Sequence, residues 1–341
     1  MKVAIINSSP EVYNLATHRI ARYHLAKGDS VSITKSGALF LPDVWDAEKL
    51  YFSCIFTWDL PQLVKDVNLM KCRNIYRDTP LPIEIGGPAA TALPIYIEEA
   101  TGIKPATGLD ARFEHVPGDD YQMVFTSRGC PRACEFCIVQ AVEGRKMIEY
   151  DEFPVPAGKN PWLGDNNILA TSWEHQELVV EKLRHVRNLD INSGLDDRIF
   201  AKDPDKYWNL YSQLHLERWR FAYDKPDQKE PLTHCVEFLH SRGVRYSEIS
   251  VFCLIGWPGT TFEEGREKLQ YLVDIETSPY PMRYRPLDCL TRDYTPPNWN
   301  AEDMDVLFNY YGVPWFWRKY KFEDFKVNFK QIAGQQSERL L

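Results

Sequence analysis

Short apolar runs alternate with amphipathic segments along most of this 341-residue chain, and the alternation limits the folds open to it. Val3–Asn7 is an apolar run, Thr17–Ala26 has helical periodicity, and Ser30–Thr34 is strand-like again after Gly28. Runs of this length are typical of buried strands, and strands that alternate with helices favour a parallel sheet. The sequence therefore predicts an α/β protein.

The first hundred residues continue this pattern. Leu50–Phe56 is a further predicted strand, Pro61–Met70 a predicted helix, and Ile83–Pro88 a strand that runs into a glycine turn. We interpret residues 1–105 as a small doubly wound, Rossmann-like domain. Residues 106–120 contain Pro, Gly and Asp with little periodicity, which indicates a linker.

A second alternating series fills residues 121–290. About six strand–helix units predict a partial (β/α)6 barrel of the TIM type, with its active site at the carboxyl ends of the strands. An aromatic-rich extension follows over residues 291–341. The predicted strands are Gln122–Ser127, Asn167–Thr171, Leu189–Asn192, Arg218–Tyr223, Ser247–Ile255 and Pro281–Arg285, and the predicted helices are Glu174–Val186, Pro231–Arg242 and Phe262–Asp274.

Charge and hydropathy limit the function classes. A formal net charge of −8 argues against a generally basic surface that binds nucleic acid. It does not exclude a local basic groove. The apolar run in Met1–Asn7 is too short for a signal peptide, and no segment has the length of a membrane span. We therefore expect a cytoplasmic protein, in which the eight cysteines are thiols or metal ligands.

Three cysteines carry the strongest chemical signal. Cys130, Cys134 and Cys137 have C-x3-C-x2-C spacing and directly follow a predicted strand. A cluster that only transfers electrons normally has four protein ligands, whereas three thiolates leave one iron open to another ligand. The alternative is a structural zinc site, but this needs a fourth ligand and the next cysteine in the sequence, Cys235, is far away.

The segment Thr126–Cys137, with Phe136 just before the last cysteine, resembles the signature of the radical S-adenosylmethionine (SAM) superfamily. The resemblance implies a [4Fe–4S] cluster whose open iron binds the amino and carboxylate groups of SAM. An electron from a donor such as flavodoxin or ferredoxin would then cleave SAM. The resulting 5′-deoxyadenosyl radical would abstract hydrogen from a substrate that the sequence does not identify.

The same resemblance suggests SAM-binding residues further along the chain. Asp165 and Asn166 would contact the SAM amino group, Arg198 the carboxylate, and Asn192 the ribose or carboxylate. A capped turn and a surface arginine are the structural alternatives.

The last two predicted strands supply the remaining candidates. Tyr223 would contact ribose or substrate, Leu254 would cover the adenine face, and Gly256 would allow close approach of the backbone. Cys253 and Cys289 are candidates for returning a hydrogen atom to a substrate radical; the alternative for each is a small buried hydrophobic residue.

The order of the two predicted domains resembles the cobalamin-type branch, with Ile85–Ala89 as the Gly-Gly turn of a B12-binding-like domain. The Asp-x-His-x-x-Gly loop of many B12 proteins is absent, so cobalamin is less favoured than the cluster and SAM. Hydrogen abstraction is the first functional hypothesis. The alternatives are a cobalamin-dependent methyltransferase and a catalytically silent module that binds the cluster or SAM.

Overall fold

The structure of the chain is a computed structural model that describes residues 1–73 and 80–332. It has a mixed α/β fold with parallel sheets, as the sequence predicts. The chain divides into two compact units. Unit 1 comprises Met1–Asn166, Glu181–Asn188 and Pro286–Asp293, and unit 2 comprises Asn167–Val180, Leu189–Arg285 and the chain from Tyr294 onward. Unit 1 thus combines the predicted first domain, the predicted linker and the cysteine loop.

Unit 1 is built on a four-stranded parallel sheet in the order β2-β1-β3-β4, where β1 is Lys2–Asn7, β2 Ser30–Lys35, β3 Lys49–Ser53 and β4 Ile83–Gly86. Four short strands follow: β5 Met123–Val124, β6 Ser127–Arg128, β7 Ile148–Glu149 and β8 Trp162–Leu163. β5 pairs with β8 in parallel, and β6 pairs with β7 antiparallel. The helices are α1 Leu15–Leu25, α2 Pro42–Trp45, α3 Leu60–Arg73, α4 Pro88–Ala92, α5 Pro94–Thr101, α6 Ala111–Glu114 and α7 Val139–Val142, with a 3-10 turn at Thr57–Asp59.

The four-stranded sheet buries both of its faces. Successive side chains of a strand point to opposite faces, so Ala4 and Ile6 enter one apolar core while Val3 and Ile5 enter the other. Helix α3 packs in the first core and α1 in the second. Helices on both faces of a parallel sheet explain why β1 is a continuous apolar run rather than an alternating one.

Unit 2 has a three-stranded parallel sheet, β11-β12-β13, in which Val251 of β12 lies opposite Phe221 and Pro279. Two further strands, β9 and β10, are neighbours in another sheet. The strands are β9 Arg187–Ile191, β10 His215–Leu216, β11 Trp219–Ala222, β12 Ile249–Ile255 and β13 Ser278–Arg283. The helices are α8 Trp173–Leu183, α9 Asp197–Phe200, α10 Pro204–Tyr211, α11 Lys229–Ser241, α12 Phe262–Asp274, α13 Ala301–Gly312, α14 Pro314–Lys319 and α15 Phe322–Val327, with 3-10 turns at Ile168–Ala170, Pro226–Gln228 and Tyr246–Glu248.

One predicted strand is wrong. Asn167–Thr171 is not extended, because Ile168–Ala170 forms a 3-10 turn and the neighbouring strand, β8, lies earlier in the chain. Side-chain hydrogen bonds account for the difference: Thr171 Oγ1 donates to Ile168 O at 2.7 Å within the turn, and Asn167 Nδ2 donates at 2.9 Å to Asp196 Oδ2, which lies much later in the chain. Side chains of this type compete with the backbone partners that a strand needs.

The aromatic residues near the end of the chain form part of the core of unit 2. Tyr310 packs edge-on against Phe322 with ring centroids 5.1 Å apart, and Phe316 lies 4.8 Å from Phe325. All four are buried. Their role in the described structure is packing between α13, α14 and α15.

Among the described residues, no helix combines the length and the apolar character needed to cross a bilayer.

Candidate functional site

The three cysteines of the predicted signature lie on the loop between β6 and α7. The backbone N–H of Cys130 donates to Gly144 O at 3.3 Å, and that of Cys137 donates to Cys134 O at 3.1 Å, which closes a turn within the loop. All three side chains are partly exposed thiols. The loop therefore presents three soft ligands within one short stretch of chain, accessible from solvent.

Gly129 fixes the entry to this loop. Its φ is +86°, a left-handed backbone conformation that residues other than glycine rarely adopt. A Cβ atom at this position would lie 2.2 Å from Lys146 O. Both constraints require glycine immediately before the first cysteine.

A buried ion network lies at the base of the loop. Arg128 donates to Glu114 Oε1 from Nε at 2.7 Å and to Glu143 Oε1 from Nη1 at 2.9 Å, and Arg19 Nη1 lies 3.1 Å from Glu114 Oε2. These four side chains, which we call the buried ion network, are at least nine-tenths buried. Burial raises the pKa of Glu114, but the charges of Arg128 and Arg19 outweigh it and hold that pKa below its usual value.

Glu143 connects the network to the cysteine loop. Its Oε2 accepts hydrogen bonds from Gly129 N at 2.8 Å and from Asn166 Nδ2 at 2.7 Å. One carboxylate thus binds the residue before Cys130, the network arginine and the segment after β8. Sequence reasoning missed Glu143 and Glu114, because neither lies within a recognisable motif.

Asp165, predicted to contact SAM, is fully buried beneath the start of the loop. Its carboxylate accepts from Thr126 N at 2.6 Å, Thr126 Oγ1 at 2.5 Å and Ser127 Oγ at 2.9 Å. Burial raises its pKa, and these hydrogen bonds oppose the rise. In this arrangement Asp165 holds the strand that leads into the cysteine loop, and only Asn166 of the predicted pair is partly exposed.

The three thiols of the cysteine loop are the kind of ligand that an iron–sulfur cluster takes from a protein. Thiolates are the ligands that such clusters take, and these three thiols are neither deeply buried nor joined in disulfides. Among the described residues, no three His, Cys, Asp or Glu side chains are arranged closely enough to hold a single metal ion. Phe136 is half-buried on the same loop.

The candidates of unit 2 that follow β9 differ in exposure. Asn192 is exposed, and Arg198 is partly exposed with its Nε 3.5 Å from Asp196 Oδ1. Asp196 also caps α9 by accepting from Arg198 N. Arg198 therefore lies in the first turn of a capped helix, and its guanidinium group is accessible to solvent.

The candidates near β11 and β12 are largely buried. The Tyr223 ring lies 5.6 Å from that of Tyr271, and the backbone N–H of Leu254 donates to Asp224 Oδ1 at 2.9 Å. Gly256 has φ +79°, and an added Cβ would lie 2.9 Å from Met304 Cε. The close approach at Gly256 is therefore made by a protein side chain.

The two cysteines proposed as hydrogen donors have different environments. Cys253 in unit 2 is fully buried, and burial raises its pKa to about 12. Cys289 in unit 1 is partly exposed, and its thiol donates to Thr291 O at 3.1 Å.

A cavity of about 300 Å³ lies within unit 1 at the carboxyl ends of β1, β3 and β4. Its walls include Asn14 after β1, Ser53 at the end of β3 and Gly86 at the end of β4. Arg128 and Glu143 of the buried ion network also line it. The cavity is therefore bounded on one side by residues that hold the cysteine loop.

The buried Asp197 of α9 predicts a pH dependence of stability. Burial raises its pKa from 3.8 to about 6, and a hydrogen bond from Gln228 Nε2 at 3.4 Å partly opposes the rise. Between about pH 4 and pH 6 the Asp197 carboxyl holds its proton in the folded chain more tightly than in the unfolded chain. The contribution of Asp197 to the free energy of unfolding therefore falls as the pH rises through this range. We expect Asp197→Asn to stabilise the protein by on the order of 2 kcal/mol at pH 7.5 relative to its effect at pH 4. Urea unfolding at both pH values measures this, and a difference from wild type that does not change with pH would contradict it.

The comparisons with known proteins concern the fold. A scan against protein-family models gives no match, and a search of curated proteins also gives none. Among solved structures, the chain is similar to the radical SAM methyltransferase TsrM from Kitasatospora setae, whose structure holds a tryptophan substrate and the SAM analogue aza-SAM. The TM-score is 0.57 at 11% sequence identity, over 83% of this chain and 72% of the other. At this identity the similarity shows a shared fold.

Proposed function

We propose that this chain is a radical SAM enzyme, in which Cys130, Cys134 and Cys137 hold a [4Fe–4S] cluster. The observation that carries the proposal is the partly exposed three-thiol loop on a fold shared with a radical SAM methyltransferase. We further infer that residues 121–290 form a partial (β/α)6 barrel, which follows a B12-binding-like first domain in the sequence. When bound, the cluster would supply the electron that cleaves SAM to methionine and a 5′-deoxyadenosyl radical, which abstracts hydrogen from the substrate.

The residues around the loop would orient the cluster. Gly129 gives the chain its left-handed turn, and Glu143 fixes Gly129 through the backbone N–H. Asp165 holds Thr126 and Ser127, so we assign it a positioning role rather than contact with SAM.

Other residues would bind SAM. Asn166 and Arg198 have partly exposed polar groups suited to the amino group and the carboxylate, and Asn192 is accessible for the ribose or carboxylate. Phe136, Tyr223, Leu254 and Gly256 remain the candidates for the nucleoside part of SAM or for the substrate. A reducing cytoplasm with flavodoxin or ferredoxin would suit this chemistry.

Purified protein, reconstituted anaerobically with iron and sulfide, tests the proposal. With SAM and dithionite we expect 5′-deoxyadenosine and methionine in equal amounts. A protein that binds the cluster and SAM without cleavage would instead be a silent binding module. A protein that binds zinc and no iron–sulfur cluster would contradict the proposal outright.

Methyl transfer is the second candidate, because the structural neighbour is described as a methyltransferase. Transfer of the methyl group would leave S-adenosylhomocysteine, which distinguishes it from hydrogen abstraction. The unit 1 cavity gives cobalamin no support, because its volume of about 300 Å³ is at the lower limit for drug-sized ligands and a corrinoid is much larger. None of the described residues lining this cavity is a histidine that could bind cobalt.

The hydrogen-donor proposal for Cys253 and Cys289 has its own test. Replacing the true donor by Ala should leave SAM cleavage intact while product formation stops, because cleavage precedes hydrogen return. Cys289 is the more accessible thiol, whereas buried Cys253 remains a neutral S–H group because burial raises its pKa. Unchanged product formation in both variants would remove both residues from consideration.

A further inference from the structure

The unit 1 cavity lies where open parallel sheets bind ligands. In the order β2-β1-β3-β4, the chain leaves β1 for β2 on one side and later returns to β3 on the other. The crevice at the carboxyl ends of two such strands is the topological switch point, a general ligand site of α/β sheets. The cavity is lined by Asn14, which follows β1, and by Ser53 and Ile55 at the end of β3.

The walls are mainly apolar and aromatic. Tyr13, Phe113 and Phe125 line the cavity together with Ile55 and Leu109. Its volume of about 300 Å³ is roughly twice that of a cavity of about 150 Å³ that binds benzene. The volume and the apolar walls therefore suit an aromatic molecule of about two fused rings.

The charged groups of the cavity are already paired with one another. Arg112 pairs with Asp110 at 2.5 Å and with Glu84 at 2.7 Å, while the buried ion network accounts for the remaining charges. All seven carboxylate and guanidinium side chains in the lining thus have an opposite charge within the protein. A charged ligand would lose its hydration without gaining an unpaired counter-charge.

We propose that this cavity binds one neutral, flat aromatic molecule of about two fused rings, beside Arg128 and Glu143 of the buried ion network. Arg128 and Glu143 line the cavity while Glu143 also binds Gly129, so the ligand would lie next to the support of Cys130. The proposal does not depend on SAM cleavage.

Calorimetric titration of the full-length reconstituted protein tests it with three probes of similar shape. Quinoline is neutral at pH 7.5, N-methylquinolinium is a cation and 1-naphthoate is an anion. We expect quinoline to bind with a stoichiometry of one, and both charged probes to bind at least about tenfold more weakly. The titration contains neither SAM nor a reductant, so its outcome is independent of the proposed catalytic function.

Two variants locate the site, each with an exposed starting residue to limit effects on folding. Ala106→Trp and Ala16→Trp place a large ring at separate positions in the lining. Thr107→Trp is the matched control, because Thr107 is exposed beside Ala106 but does not line the cavity. We expect each lining variant to weaken quinoline binding at least about tenfold and the control to leave it unchanged.

Several results would overturn the proposal. These are no binding of quinoline, equal binding of all three probes, or quinoline binding that both lining variants leave intact. Stoichiometric uptake of hydroxocobalamin that Ala106→Trp abolishes would also overturn it, since the cavity would then open to hold a corrinoid.

Discussion

Replacing any one of Cys130, Cys134 and Cys137 by Ala is expected to abolish reductive SAM cleavage. Two thiolates from one short loop cannot hold the cluster in place of three, and an unbound cluster supplies no electron. We expect bound iron to fall from about four atoms per chain to well below that, and 5′-deoxyadenosine formation to fall by on the order of 10³-fold or more. Iron analysis, the cluster absorption band and product chromatography measure these changes.

Cys72→Ala provides the matched control for these substitutions. Cys72 is an exposed thiol at the end of α3, outside the cysteine loop, and its replacement should change neither iron content nor cleavage. A loop variant that retains the cluster and full cleavage would show that the cysteine has another role. Equal losses in the control would show that the effect is not specific to the cysteine loop and would contradict the assignment of the three ligands.

Arg128→Ala is expected to destabilise the protein by about 3–5 kcal/mol, because it leaves buried carboxylates without their shared partner. Glu114 retains Arg19, but Glu143 loses a guanidinium group that lies 2.9 Å away. The variant also removes the guanidinium group from the Phe125 ring, whose centroid is 3.4 Å from Cζ. Urea unfolding monitored by circular dichroism gives the change in the free energy of unfolding.

Arg112→Ala serves as the exposed counterpart. Arg112 also bridges two carboxylates, Asp110 and Glu84, but its side chain is 45% exposed and water replaces the lost partners. We expect a cost of about 1 kcal/mol or less. Similar losses for Arg128→Ala and Arg112→Ala would refute the idea that burial determines the energy of the network.

The sequence predicted the four-stranded sheet of unit 1 well. Three of its strands have a strong local signal: β1 is a continuous apolar run, β3 contains Leu50, Tyr51 and Phe52, and β4 ends in glycine. The edge strand β2 is largely exposed, and alternating Val31 and Ile33 provide its signal. Helix α12 was also predicted with the bounds observed, Phe262–Asp274, because Thr261 caps it and accepts from Glu264 N. Here local and tertiary preferences agree.

The region around the cysteine loop was less predictable. The strands there have only two residues each, too short for a periodicity to show, and the predicted strand Gln122–Ser127 is divided between β5 and β6. The buried ion network joins residues far apart in the chain, such as Arg19 and Glu114. No spacing within one sequence reports such a contact, whereas the cysteines were found because their ligand chemistry is local.

The hydrogen bond from Gly129 N to Glu143 constrains the length of the intervening segment. Glu143 directly follows α7 and lies six positions after Cys137, so an inserted or deleted residue between them would turn its carboxylate away from Gly129. Natural or engineered versions of this chain can thus vary side chains along the solvent side of the segment, but they must keep its number of residues. The spacing that matters extends past the last cysteine to the carboxylate that closes the loop.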